Sequence, residues 1–286
     1  LTTIEIPSSV TSIGYHAFNG CNLLKEIKIP SSITTIGNYA FNDCSSLTSI
    51  SLSSSLASIG YLTFGQCLNL KEIIIPPSVT EIGRYAFSGC SSLSKISIPP
   101  SVNDIKAGAF AGCSALLDLV IPDGVTVIHS DMFKKCTSLI EVLIPSSVIE
   151  IEKYAFHGCS SLSIVRIPNS VNKIGFYSFS ECSNLTQILI PNSVNSIDFY
   201  AFYKCKSLNK IEIPSSIIEI KSSTFEDCSS LVDITIPSSV IKIGQNAFKG
   251  CVSLKQVLIY SSSINIGENA FPIDTQIIKK DMCFIS

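Results

Sequence analysis

The chain has 286 residues, 46% hydrophobic and 15% charged, with a net charge of −2 and a mean hydropathy of +0.42. That apolar content nowhere forms a run of about eighteen residues, which excludes a transmembrane helix. The charge is near neutral and no Lys/Arg stripe recurs, which disfavours a nucleic-acid groove, since that needs clustered positive charge.

Leu1 already stands inside a repeat, and neither a charged n-region nor an apolar h-region follows it, so we expect the native chain to begin upstream. The first cysteine, Cys21, sets a period of 23. Cys44, Cys67, Cys90, Cys113, Cys136, Cys159, Cys182, Cys205, Cys228 and Cys251 follow in phase. A Phe stands three residues before each, from Phe18 to Phe248, and Phe271 adds one more. A Leu stands three residues after each, from Leu24 to Leu254. The unit reads L-x-x-I-x-I-P-x-S-V-x-x-I-G-x-x-A-F-x-x-C-x-x, and a period held this long marks a repeat architecture.

Within the unit, Leu-x-x-Ile-x-Ile places β-branched residues at period two and predicts a short strand. Pro ends the strand by removing a backbone donor, as at Pro30 and Pro191. The Val-x-x-Ile pair continues the apolar column around the coil. Ala-Phe-x-x-Cys has i, i+3 spacing and predicts one short helical or 3₁₀ turn. One unit cannot bury these residues alone; stacked units bury each column against its own copy.

This unit resembles the leucine-rich repeat of the BspA type, also called the Treponema pallidum type, over residues 1–272. The resemblance implies an α/β leucine-rich-repeat solenoid of about twelve 23-residue units, with a parallel sheet on its concave face. The general pattern places an Asn after the strand to bond neighbouring backbone. Ser stands there in this chain, at Ser9, Ser32, Ser55, Ser78, Ser101, Ser147, Ser170, Ser193, Ser216, Ser239 and Ser262, with Gly124 the departure. A short hydroxyl can satisfy the backbone groups a turn leaves behind. The last unit is degenerate: Tyr260, Ser263 and Asp274 replace Pro, Val and Cys. Residues 273–286 carry no repeat and read as a tail.

The in-phase cysteines admit disulfides, since stacked strands about 4.8 Å apart bring Cα atoms into bonding range. Eleven is an odd number, however, and no C-x-x-C with His offers a metal site. The favoured reading is a column of buried, reduced thiols. His16, His129 and His157 have no matched Ser or Cys and Asp partners, and no phosphate loop occurs. No catalytic residue, cofactor or metal is therefore expected. Asn184-Leu185-Thr186 is the single glycosylation sequon.

Each strand should point two residues outward from the sheet. Mid-chain these include Ile74, Val120, Leu143, Ile164 and Leu189, flanked by Glu72, Asp118 and Glu141. An apolar patch with a charged rim marks a binding site for a protein partner. The chain closes on Cys283-Phe284-Ile285-Ser286, which resembles a CaaX box, with the terminal Ser favouring farnesyl on Cys283. Lys279 and Lys280 just upstream could touch anionic lipid weakly. Three roles follow: an interaction scaffold tethered at the cytosolic face of the plasma membrane or free in the cytoplasm; as the family resemblance implies, a surface or secreted adhesin binding host matrix or cells; or an accessory repeat region attached to an enzyme domain upstream of Leu1.

Overall fold

A computed structural model describes residues 2–261 and 263–280. Ser262 and Cys283 lie outside the described residues. The chain divides into two units, Leu1–Ser147 and Val148–Ser286, each a stack of 23-residue β-coils.

In the first unit the longer strands pair in parallel at a constant offset of 23. Thr3–Glu5, Glu26–Lys28 and Ser49–Ser51 form one such group. Glu72–Ile74 pairs with Lys95–Ser97, and Asp118–Val120 with Glu141–Leu143. In the second unit Ile164–Arg166, Gln187–Leu189 and Lys210–Ile211 pair likewise. The central residue of nearly every strand is buried and its two neighbours are exposed, the period-two pattern of a one-sided sheet. A second, two-residue strand in each coil, such as Thr35–Ile36 or Lys173–Ile174, buries the Ile of the Val-x-x-Ile pair. Nothing in the unit pattern had marked that stretch as a strand.

Phe stacks on Phe through each unit. In the first, Phe18 to Phe41 and onward to Phe133 are separated by 5.1–5.8 Å with near-parallel rings. In the second, Phe156 to Phe271 are 5.1–5.6 Å apart. Most are fully buried, and a buried Phe contributes roughly 1.5–3 kcal/mol of transfer free energy.

The Ala-Phe-x-x-Cys segment corrects the sequence expectation. No described residue is helical, so the fold is a β-solenoid and not α/β. The cause is in the donors. Ala40, Asn42 and Cys44 donate to carbonyls three residues back, whereas Tyr39, Phe41 and Asp43 donate to Tyr61, Thr63 and Gly65 of the next coil. A helix would spend every N–H internally; here alternate ones tie coil to coil. Tyr39 and Asp43 adopt φ of 59°, and their counterparts in other coils are likewise positive, which breaks any helical run.

The Ser ladder acts across coils. Ser78, Ser101, Ser147, Ser170, Ser193 and Ser216 donate Oγ–H to a carbonyl 22 residues earlier at 2.5–2.8 Å. In the third coil Pro is replaced by Ser53, which takes over the bond by donating to the Ile33 carbonyl at 2.6 Å, while Ser55 is exposed. Beyond residue 272, Gln276–Lys279 pairs in parallel with Gln256–Ile259 at an offset of 20, a shortened final coil.

Candidate binding surface

The outward side chains of the longer strands are where the fold holds residues it does not need for its core. In the first unit Val120 and Leu143 are neighbours in register, 65% and 53% exposed, and Asp118 and Glu141 pair beside them two residues earlier. A column of aliphatic groups therefore runs alongside a column of carboxylates. Ile74 is 75% exposed, and Glu72 shares its strand, but Ser97 and Lys95 stand next to them in register, so this pair is set apart from the other two. Glu72 and Ile74 line a shallow hollow of about 350 Å³ with Ser49, Ser51 and Pro76.

In the second unit Ile164 and Leu189 are 46% and 66% exposed. They are not in one column: Ile164 is opposite Gln187, and Leu189 is opposite Arg166. All four line a hollow of about 540 Å³, together with Asn169 and Pro191.

The cysteine column lies in the core. Cys44 through Cys251 are buried, and Cys21 at the first coil is only half-buried. Cys44, Cys67, Cys90, Cys113 and Cys136 in the first unit donate Sγ–H to the Phe carbonyl 26 residues earlier, at 3.0–3.2 Å. Cys182, Cys205, Cys228 and Cys251 do the same in the second. Burial pushes the Cys44, Cys136 and Cys251 thiols up to about 12. Cys67 is raised first by its hydrogen bond with Cys90 and then by burial. A reactive cysteine needs the opposite, an exposed thiol with a lowered pKa.

The histidines gain partners that the sequence did not suggest. His157 Nδ1 is 2.7 Å from Ser180 Oγ. Ser180 is fully buried and also donates to the Tyr177 carbonyl at 3.0 Å, so this pair offers no accessible nucleophile. His129 lies 3.8 Å from Asp104, and His16 stacks on Tyr39 at 4.5 Å. Among the described residues no group of three or more His, Cys, Asp or Glu is placed to hold a metal. No described helix is long and apolar enough to cross a membrane.

Sequence reasoning also passed over an aromatic edge on the turns of the second unit. Tyr154, Tyr177 and Tyr200 stack at 5.3 and 4.6 Å, with Phe176 and Tyr203 set edge-on. The signal was present in the two variable positions before Ala-Phe, which hold aromatic residues in three successive coils.

Residues 1–117, 59–186, 104–231 and 149–278 match the sequence profile of the BspA type leucine rich repeat region. Among solved structures, a leucine-rich repeat protein from Bacteroides ovatus is 29% identical, with a TM-score of 0.59 over 97% of this chain and 92% of that one. A leucine rich cell surface protein from Faecalibacterium prausnitzii is 28% identical, with a TM-score of 0.51 over 94% and 87%. The leucine rich repeat protein of T. pallidum is 29% identical, with a TM-score of 0.51 over 64% and 78%. No curated protein matches the chain.

Proposed function

The chain belongs to the BspA-type leucine-rich-repeat family, and from that premise we propose that it is a non-catalytic scaffold, presented at a cell surface, that binds a macromolecular partner on the outward face of its longer strands. The observation that carries this reading is the pairing of exposed Val120 and Leu143 beside Asp118 and Glu141. A sheet needs only its inward residues to fold, and exposed aliphatics rimmed by charge are a mark of interaction surfaces. The surface location rests on the resemblance to the Faecalibacterium prausnitzii cell surface protein. An adhesin binding host matrix or cells fits both.

Replacing Val120 and Leu143 together with Asp adds charge without touching the core. Adhesion of the full chain to immobilised matrix or intact cells is expected to weaken by about 2 kcal/mol or more, the scale of hot-spot residues, with the thermal midpoint unchanged. Undiminished adhesion by the folded double variant moves the site off this face.

A second reading comes from Cys283-Phe284-Ile285-Ser286. Farnesylation of Cys283 would place the scaffold at the cytosolic membrane face, where one lipid chain gives only marginal, reversible attachment. Intact-mass analysis of protein from its own cells separates the two locations. A farnesyl thioether at Cys283 supports the tether; an unmodified end, with labelling by an impermeant reagent on living cells, supports surface display.

A further inference from the structure

We propose that the hollow on the strand face of the second unit binds an extended peptide segment carrying a carboxylate and an aliphatic side chain two residues apart, with Arg166 taking the carboxylate. The proposal rests on the reading that the strand face binds a partner, and it names the chemistry of that partner at one place. The hollow measures about 540 Å³, and Ile164, Arg166, Gln187 and Leu189 line it.

The cation is the informative feature. On the outward positions of the strands around this hollow the cations are Arg166 and Lys210, and Lys210 lies 3.5 Å from Glu212. Among the described residues no carboxylate comes within ion-pair distance of Arg166. The acid one coil beyond Leu189, Glu212, is engaged with Lys210 at 3.5 Å. Among the described residues Arg166 is therefore a planar, forked donor without a partner, set between the aliphatic groups of Ile164 and Leu189. A guanidinium matches a carboxylate bidentately, and apolar walls that shed water on docking strengthen that pair.

Spacing gives the register. Ile164 and Arg166 are two residues apart on one strand and point the same way. In any extended chain such a pair is about 6.6 Å apart. A peptide lying along this strand sets its own two-apart side chains at the same interval, which pairs an acidic residue with Arg166 and an aliphatic one with Ile164.

The test uses the full chain, isotope-labelled, and three probe peptides: Gly-Glu-Ala-Leu-Gly and its Gln and Lys analogues in place of Glu. Chemical-shift titration to millimolar peptide reads binding and place together. The Glu peptide is expected to bind about tenfold tighter than the Gln analogue, the gain of one charge-assisted bond of about 1.4 kcal/mol, with shifts at Ile164, Arg166 and Leu189. Arg166→Glu should transfer the preference to the Lys peptide, and Arg166→Gln should erase it. Equal shifts with Glu and Gln, no shifts with any peptide, or an unchanged preference in Arg166→Glu overturns the proposal. Val120→Asp with Leu143→Asp bears only on the broader reading, so loss of adhesion there with no peptide preference here would sink this inference alone.

Discussion

The two units use the same core and tie their coil surfaces differently. In the first, hydroxyl and amide groups bridge coils 23 residues apart: Asn42 donates to Asn19 at 3.0 Å, Thr48 to the Lys25 carbonyl at 3.0 Å, and Asn38 accepts from the Tyr61 backbone at 2.8 Å. The second keeps some of these, as Ser183 to the Ser160 carbonyl, and adds ion pairs at the same interval. Lys173 meets Glu150 at 2.8 Å, Lys221 meets Asp198 at 3.0 Å, Lys242 meets Glu219 at 2.7 Å and Lys249 meets Glu226 at 3.6 Å. A 23-residue period brings any residue next to its own counterpart, so the surface can be written in either chemistry while the Phe, Cys and Leu columns stay constant.

The largest expected effect tests what the units share. In the unfolded chain a thiol titrates near 9; in the fold Cys44, Cys136 and Cys251 hold their protons to about 12. A raised pKa means this stability is intact below pH 9 and is lost as pH climbs toward 12. At roughly 1.36 kcal/mol per pH unit, each such thiol costs the native state about 4 kcal/mol by pH 12, and a few together exceed the total stability of a typical domain. Hydrogen exchange followed from pH 8 to 11 should show both units losing protection together. Loss confined to one unit would mean that the thiol columns are not equivalent.

A smaller effect separates the units. Lys135 and Lys204 occupy the same turn position with φ of 59° and 57°, where Gly89, Gly112, Gly158 and Gly250 stand in other coils. A left-handed residue with a Cβ costs about 1 kcal/mol, so Lys135→Gly should stabilise by about that much in thermal unfolding. Lys204 also lies over the Tyr203 ring at 4.9 Å, a contact worth about 0.5 kcal/mol at an exposed site, so Lys204→Gly should gain less. Equal gains would show that the ring contact contributes nothing.

The smallest effect addresses the surface chemistry itself. A double-mutant cycle on Lys221 and Asp198, the most shielded of these pairs, should give a coupling of about 0.5 kcal/mol at low salt that shrinks toward zero in 1 M salt. The matching cycle on Asn42 and Asn19 should be small and indifferent to salt. A salt-insensitive Lys221–Asp198 coupling would remove the distinction between the units.

Much of the outward face was legible because period-two alternation fixes which strand residues point away from the core. Val120 and Leu143 were assigned from that rule and are exposed neighbours. Their grouping with Ile74 fails on a point the period already gave: Ser97 stands between Ile74 and Val120 in the same outward column, and the register pairs Ile74 with Ser97. Arg166 stands in the same outward column, between Leu143 and Leu189 by the period, but only the structure shows that among the described residues no carboxylate reaches it. The same limit hid the His157 contact with Ser180, whose residues are 23 apart and meet only because the coils stack.

The sequence by itself determined the period, the identity of the core columns and the inward or outward sense of each strand residue. These follow from local periodicity and from each residue having a copy to pack against. Only the tertiary structure decided what Ala-Phe-x-x-Cys becomes. Its spacing fits a helical turn, and its local propensity cannot choose between that and tandem β-turns. The choice falls to the N–H groups of residues such as Tyr39, Phe41 and Asp43, whose acceptors sit in the next coil. The strand at Gln276–Lys279 was decided the same way: it lacks the repeat motif and takes its conformation from Gln256–Ile259 beside it, because an open sheet edge leaves donors and acceptors that any extended segment can satisfy.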